Sequence, residues 1–201
     1  MKSKTIWIQQ ALIQLGILLV AGTAIFILGL IMQKEHLMGS ALFFMSGYGL
    51  IMGPALDPFV FRNPVALAVS MGETRKGIYR GLEMTRVIYM GGVMALFLLN
   101  IILINPYPDV YPWSILIGFL GTLLVVSALA AIVSAFTYQR GSNNMGLRLL
   151  EGIISAFQLI FFLRTCDSLL ICTAVLVEGI ILTFISVSLE KRVFYQWNFR
   201  A

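Results

Sequence analysis

Catalysis requires an activated nucleophile, a general base or a metal, so the residues able to supply one come first. His36 is the only histidine. A Ser/His/Asp triad, a two-histidine zinc site and an H-E-x-x-H metalloprotease motif therefore have no basis. Cys166 and Cys172 are spaced for neither a C-x-x-C redox pair nor a secreted disulfide framework. Gly72-Glu-Thr-Arg-Lys-Gly77 approaches a phosphate loop, but Ile78 stands where G-x-x-x-x-G-K-[ST] requires lysine, so nucleotide hydrolysis is not built into this chain. The acidic residue whose position carries most information is Glu178, between Val177 and Gly179 in a long apolar run. A carboxylate inside a spanning helix is costly and must be protonated, paired or turned to a wet cavity. Glu178 is thus a candidate pathway residue, with a structural interhelical hydrogen bond as the alternative, and Gln158 and Glu151 are candidate neighbours. No catalytic residues, metal ligands or cofactor of this chain's own are expected.

These residues sit in a chain that is mostly lipid-compatible. Of 201 residues, 59% are hydrophobic and 11% charged, against about 45–50% and about 25% in an ordinary soluble domain. A crossing helix takes about 20 apolar residues, and the predicted spans are 11 to 32, 38 to 56, 85 to 104, 113 to 137, 147 to 163 and 169 to 189. The expected fold class is all-α: a single six-span transmembrane domain over 1–201, with a cytoplasmic loop from 57 to 84. The first apolar run is longer than a signal-peptide core and reads as a retained helix. The fifth span is short and carries Glu151 and Gln158, so a crossing that is tilted, thinned at one end or extended by Met145 to Arg148 is expected there.

With the N-terminus inside, Lys2, Lys4, Arg62, Arg75, Lys76, Arg80, Arg86, Arg140, Arg148, Lys191, Arg192 and Arg200 are cytoplasmic, and only Lys34 and Arg164 are outside. This positive-inside asymmetry puts both termini in the cytoplasm and explains the net charge of +5 without a nucleic-acid partner. The outer loops are small, and Asn105 to Pro112 is stiffened by three prolines. Small residues predict close helix contacts: Gly49 and Gly53 form a G-x-x-x-G face on the second span, and Ser127, Ala130, Ala131 and Ser134 lie on the fourth.

The longest connection reads as structured. Asn63 caps a helix with Pro64 at its first position, Val65 to Met71 is apolar, Gly72 ends it and Thr74 starts the next helix. Such an element at the inner face suits either docking to a partner or attachment to anionic lipid.

Ser70-Met-Gly-Glu-Thr-Arg-Lys76, with Tyr79 and Gly81, lying between the second and third of six expected spans, resembles the inner loop of ABC transporter permeases of the type-2 exporter family. Sharp agreement covers about twenty residues, and the six-span layout covers the chain. The resemblance implies that the loop is a coupling helix seated on a separate ATP-binding-cassette subunit, which would hold ATP and magnesium, with Met71, Gly72, Thr74, Arg75 and Lys76 as coupling residues. It also implies a second permease copy or a paralogue, a place in the bacterial plasma membrane, and export of a hydrophobic or amphipathic cargo such as a peptide, toxin or drug. Family members often have a longer amphipathic helix before the first span and re-entrant helices between the last two; only Met1 to Gln14, with Trp7, corresponds to the former, and Arg164 to Ser168 leaves little room for the latter. Two readings stand beside it: an accessory or immunity-type membrane protein without transport, and the substrate-binding membrane subunit of an energy-coupling-factor importer.

Overall fold

The computed structural model describes residues 2–32, 68–104, 109–140 and 145–196, and these residues are helical apart from short turns. Five long helices are present among them: α1 (Lys2–Ile31), α2 (Arg75–Ile104), α3 (Pro112–Arg140), α4 (Met145–Thr165) and α5 (Leu169–Gln196). Three carry stretches long and apolar enough to cross a bilayer, Arg75–Leu99, Pro112–Val133 and Leu169–Tyr195. The all-helical class is as expected. The expected second span, its Gly49 and Gly53, the cap at Asn63 and Pro64, and His36 lie outside the described residues.

The helices outrun the expected spans. α2 starts ten residues before position 85 because Thr74 caps it there, and α5 continues past 189 to Gln196 through the charged residues Glu190, Lys191 and Arg192. Pro112, expected in the stiff outer turn, occupies the first position of α3, where its missing N–H has no helical acceptor to lose.

Helix directions follow from which residues meet. Trp7 packs on Gly81 and Leu15 on Gly92, so α1 and α2 run parallel. Phe97 stacks on Phe119 at 3.5 Å with the rings 5° apart, and the Phe162 ring meets both edge-on, at 6.1 Å from Phe97 and 5.9 Å from Phe119. Those contacts join the late part of α2 to the early part of α3 and the late part of α4, which makes α3 antiparallel to both. With Tyr89, Val93, Ile115 and Leu123 they form the larger apolar core.

The tightest seam joins α3 to α5, which run parallel. A Cβ on Gly121 would lie 2.7 Å from the Leu176 nitrogen, one on Gly179 would lie 2.8 Å from the Gly121 carbonyl oxygen, and one on Gly118 would lie 2.7 Å from Cys172 Sγ. Backbones come this close only where side chains are absent, which is how helices associate in lipid. Ala130 and Ala131 are buried as small packing residues of α3, whereas Ser127 is only half-buried.

Candidate functional site

The residues singled out for coupling lie in a compact elbow between the helical turn Ala68–Ser70 and α2. Helix-forming residues end there because Gly72 adopts φ +74°, a left-handed conformation that costs glycine nothing. The Gly72 N–H donates to the Val69 carbonyl and the Glu73 N–H to the Ala68 carbonyl, both at 3.0 Å, the paired bonds of a Schellman motif. Two residues later the chain turns helical again. Thr74 Oγ1 accepts the Gly77 N–H at 3.1 Å while its carbonyl accepts the Ile78 N–H, so Thr74 is the N-cap of α2. Both signals read from the sequence, the glycine stop and the threonine start, operate as expected.

The inner side of the elbow is fastened to three helices. Ala68 and Ile78 are buried with Trp7 of α1 and Phe194 of α5, and Tyr79 and Leu82 pack around them. Tyr79 lies against both Phe194 and Tyr195, with ring centroids 5.5 and 6.3 Å away. Gly81 is required beneath the Trp7 indole, since a Cβ there would collide with the ring. The buried Thr85 hydroxyl lies within hydrogen-bond reach of the Trp7 carbonyl, at 3.1 Å, and the Gly81 carbonyl, at 3.0 Å.

Charge completes the clamp. The Arg86 guanidinium donates to both carboxylate oxygens of Glu190 at 2.9 Å, a bidentate pair joining α2 to α5, and Glu83 stands 3.6 Å away as a weaker second partner. Arg75 donates from Nη1 to the Tyr195 carbonyl at 3.0 Å, satisfying an acceptor in the last turn of α5. Arg75 is therefore part of the elbow's own scaffold. Sequence reasoning did not find the Arg86–Glu190 pair; opposite charges in the outer turns of two apolar helices were the available signal.

The outer side of the elbow presents Met71, Gly72, Thr74, Arg75 and Lys76, all exposed. All five coupling candidates are thus exposed, and Arg75 also reaches inward to the Tyr195 carbonyl. The pathway candidates do not join them: Glu178 is exposed on the outward side of α5, Gln158 is half-buried on α4, and Glu151 is buried on α4. An ionised side chain at the centre of a spanning helix costs about 2.5–3.5 kcal/mol on insertion scales, so the outward placement of Glu178 needs a physical reason.

No described group of three or more histidine, cysteine or acidic residues is arranged to hold a metal ion. Cys166, in the turn between α4 and α5, and Cys172, in the first turn of α5, are both buried thiols. Burial, reinforced by the neighbouring charge of Asp167, pushes the Cys166 thiol up, away from the thiolate that a nucleophile requires. Among the described residues, then, the class defined is an all-helical membrane protein with a braced elbow at one end of its bundle. Compared with known proteins, the chain matches no family model, no curated protein and no solved structure.

Proposed function

We propose that this chain is the membrane-spanning permease subunit of an ATP-driven exporter of the type-2 class, and that its elbow is the coupling element receiving a separate ATP-binding-cassette subunit. The observation that carries the reading is the division of the elbow into two sides. Its outer side exposes Met71, Thr74 and Lys76 to a partner, while its inner side is locked through Ala68, Ile78, Tyr79 and Arg75 to α1, α2 and α5. A displacement imposed on such an element moves the ends of three helices together, because packed interiors transmit strain rather than absorb it.

Helix directions support the six-span arrangement that this function requires. α1 leaves the elbow's end of the bundle and runs parallel to α2, yet the chain re-enters at Ala68, back at the elbow. A second span before the elbow is part of this proposal. The elbow's end is the cytoplasmic face in this reading, as the concentration of Arg75, Lys76, Arg80, Arg86, Lys191 and Arg192 there supports. Two permease copies, or one and a paralogue, would enclose the pathway, with ATP and magnesium held by the partner ATPases.

The test is co-purification in mild detergent from the native membrane. Arg75 is a poor probe because its guanidinium braces α5. Met71→Asp and Lys76→Glu change only exposed side chains; each is expected to leave the protein inserted and monodisperse while removing a stoichiometric ATP-binding-cassette subunit. An ATPase retained by both variants, or absent from the well-folded wild-type preparation, would overturn the proposal.

A further inference from the structure

Glu178 lies near the middle of its helix. At about 1.5 Å per residue it is roughly 14 Å along α5 from Leu169 at one end and roughly 20 Å from Lys191 toward the other. The first end is level with the exposed aromatics Tyr111 and Trp113 at the start of α3, side chains suited to a membrane–water interface. The second end carries the exposed Lys191 and Arg192. A hydrocarbon core of about 30 Å between these belts places the carboxylate near its midplane.

The two sides of α5 differ sharply at this level. Gly179 and Val175 press into α3. Ala174, Val177, Glu178, Ile181 and Ile185, spaced to share a helical face, are all exposed. Glu178 forms no ion pair among the described residues, and the basic side chains of α5, Lys191 and Arg192, lie only toward its C-terminal end. An acidic group centred on an apolar strip at mid-membrane depth matches one kind of ligand: a molecule with a large apolar body and a positive charge. The apolar strip accepts the body, and the carboxylate supplies the counter-charge that hydrocarbon cannot.

We infer that the Glu178 face of α5 is a binding surface for lipophilic cations. The inference names the cargo class of the proposed exporter, cationic amphipathic molecules, and in that sense rests on the exporter reading. Binding itself is a property of this chain, so it is tested without an ATPase, and failure of either idea leaves the other standing.

The experiment measures equilibrium binding of tetraphenylphosphonium to the full chain in nanodiscs of zwitterionic phosphatidylcholine, with neutral triphenylphosphine oxide as competitor. Saturable binding is expected, weakened at least about tenfold by Glu178→Gln, largely kept by Glu178→Asp, and unaffected by the neutral competitor. Glu178 is exposed, and size-exclusion profiles of the three proteins verify that they fold alike. Absent saturable binding, equal binding by Glu178→Gln, or displacement by the neutral compound would each overturn the inference. So would a change of oligomer mass in Glu178→Gln with binding intact, which would assign the face to a second copy of the chain.

Discussion

Gly121→Ala isolates the contact that holds α3 to α5. The new methyl carbon would sit 2.7 Å from the Leu176 nitrogen and 2.9 Å from both the Leu176 Cα and the Val175 carbonyl carbon. Unstrained carbon contacts lie at about 3.5–4.0 Å, so the two helices must part by up to about 1 Å. The obstructing atoms are backbone, and no side-chain rotation relieves them. Overpacking of this kind costs about 1–3 kcal/mol. Gly91→Ala is the matched control: it also replaces a helical glycine, but a Cβ there has nothing within 4 Å. Both variants gain the same intrinsic helix preference, at most about 1 kcal/mol, so their difference reports the steric effect alone. Unfolding in mixed micelles by SDS titration, followed by the emission of the three tryptophans together, is expected to place Gly121→Ala below Gly91→Ala by about 1–3 kcal/mol. Gly179→Ala should behave similarly, and the double variant should cost less than the two singles together, because the first methyl has already opened the seam. Equal stability of Gly121→Ala and Gly91→Ala would refute the close approach.

The Arg86–Glu190 pair is partly shielded, with side chains 22% and 13% exposed, so a double-mutant cycle with Arg86→Ala and Glu190→Ala should give a coupling above the exposed-pair range of about 0.2–1 kcal/mol; a coupling near zero would show that the two helices are held by packing alone. In the elbow, Gly72→Ala should destabilise by about 1 kcal/mol or more, because a β-carbon is strained at φ +74°, and Thr74→Ala by about 1 kcal/mol through loss of the N-cap; amide hydrogen exchange across 75–80 reads both, and unchanged protection would argue against the capped elbow. Thr85→Val removes a buried donor and leaves the Trp7 carbonyl without it, with an expected loss of about 1–3 kcal/mol and loosening of Trp7 visible as a shifted emission when Trp113 and Trp197 are replaced by phenylalanine; an unshifted emission would refute the contact. Burial raises the Cys166 thiol, so in a Cys172→Ala background its alkylation should require higher pH than a free cysteine and accelerate as pH rises through the raised value, whereas reaction at an ordinary cysteine's pH would show the turn to be open.

The local punctuation of the elbow was legible in the residues. Gly72 and Thr74 belong to types that stop and start helices by short-range hydrogen bonds, and those bonds involve neighbours within five positions. The apolar composition was equally direct, because the length of a crossing is set by the bilayer. Helix ends were less so. α2 and α5 extend beyond the expected spans, and in the added turns Glu190 pairs with Arg86 and Gly81 is covered by Trp7, partnerships between positions far apart in the chain.

The packing seam shows the same division more sharply. Small residues on α3 pointed to close contacts through Ser127, Ala130, Ala131 and Ser134, but close backbone approaches also occur at Gly118, Gly121 and Gly179, which the sequence had not singled out. A sequence shows where a side chain is missing and not which backbone will fill the gap. By itself, the sequence determined that the chain is helical and lipid-compatible, and where the elbow turns. Only the tertiary structure decided that Arg75 braces α5, that Arg86 finds Glu190, and that Glu178 faces outward while Gly179 beside it faces α3. The reason is geometric: adjacent residues of a helix point about 100° apart, so which of them meets lipid is set by the rotation of the whole helix, and that rotation is fixed by its neighbours.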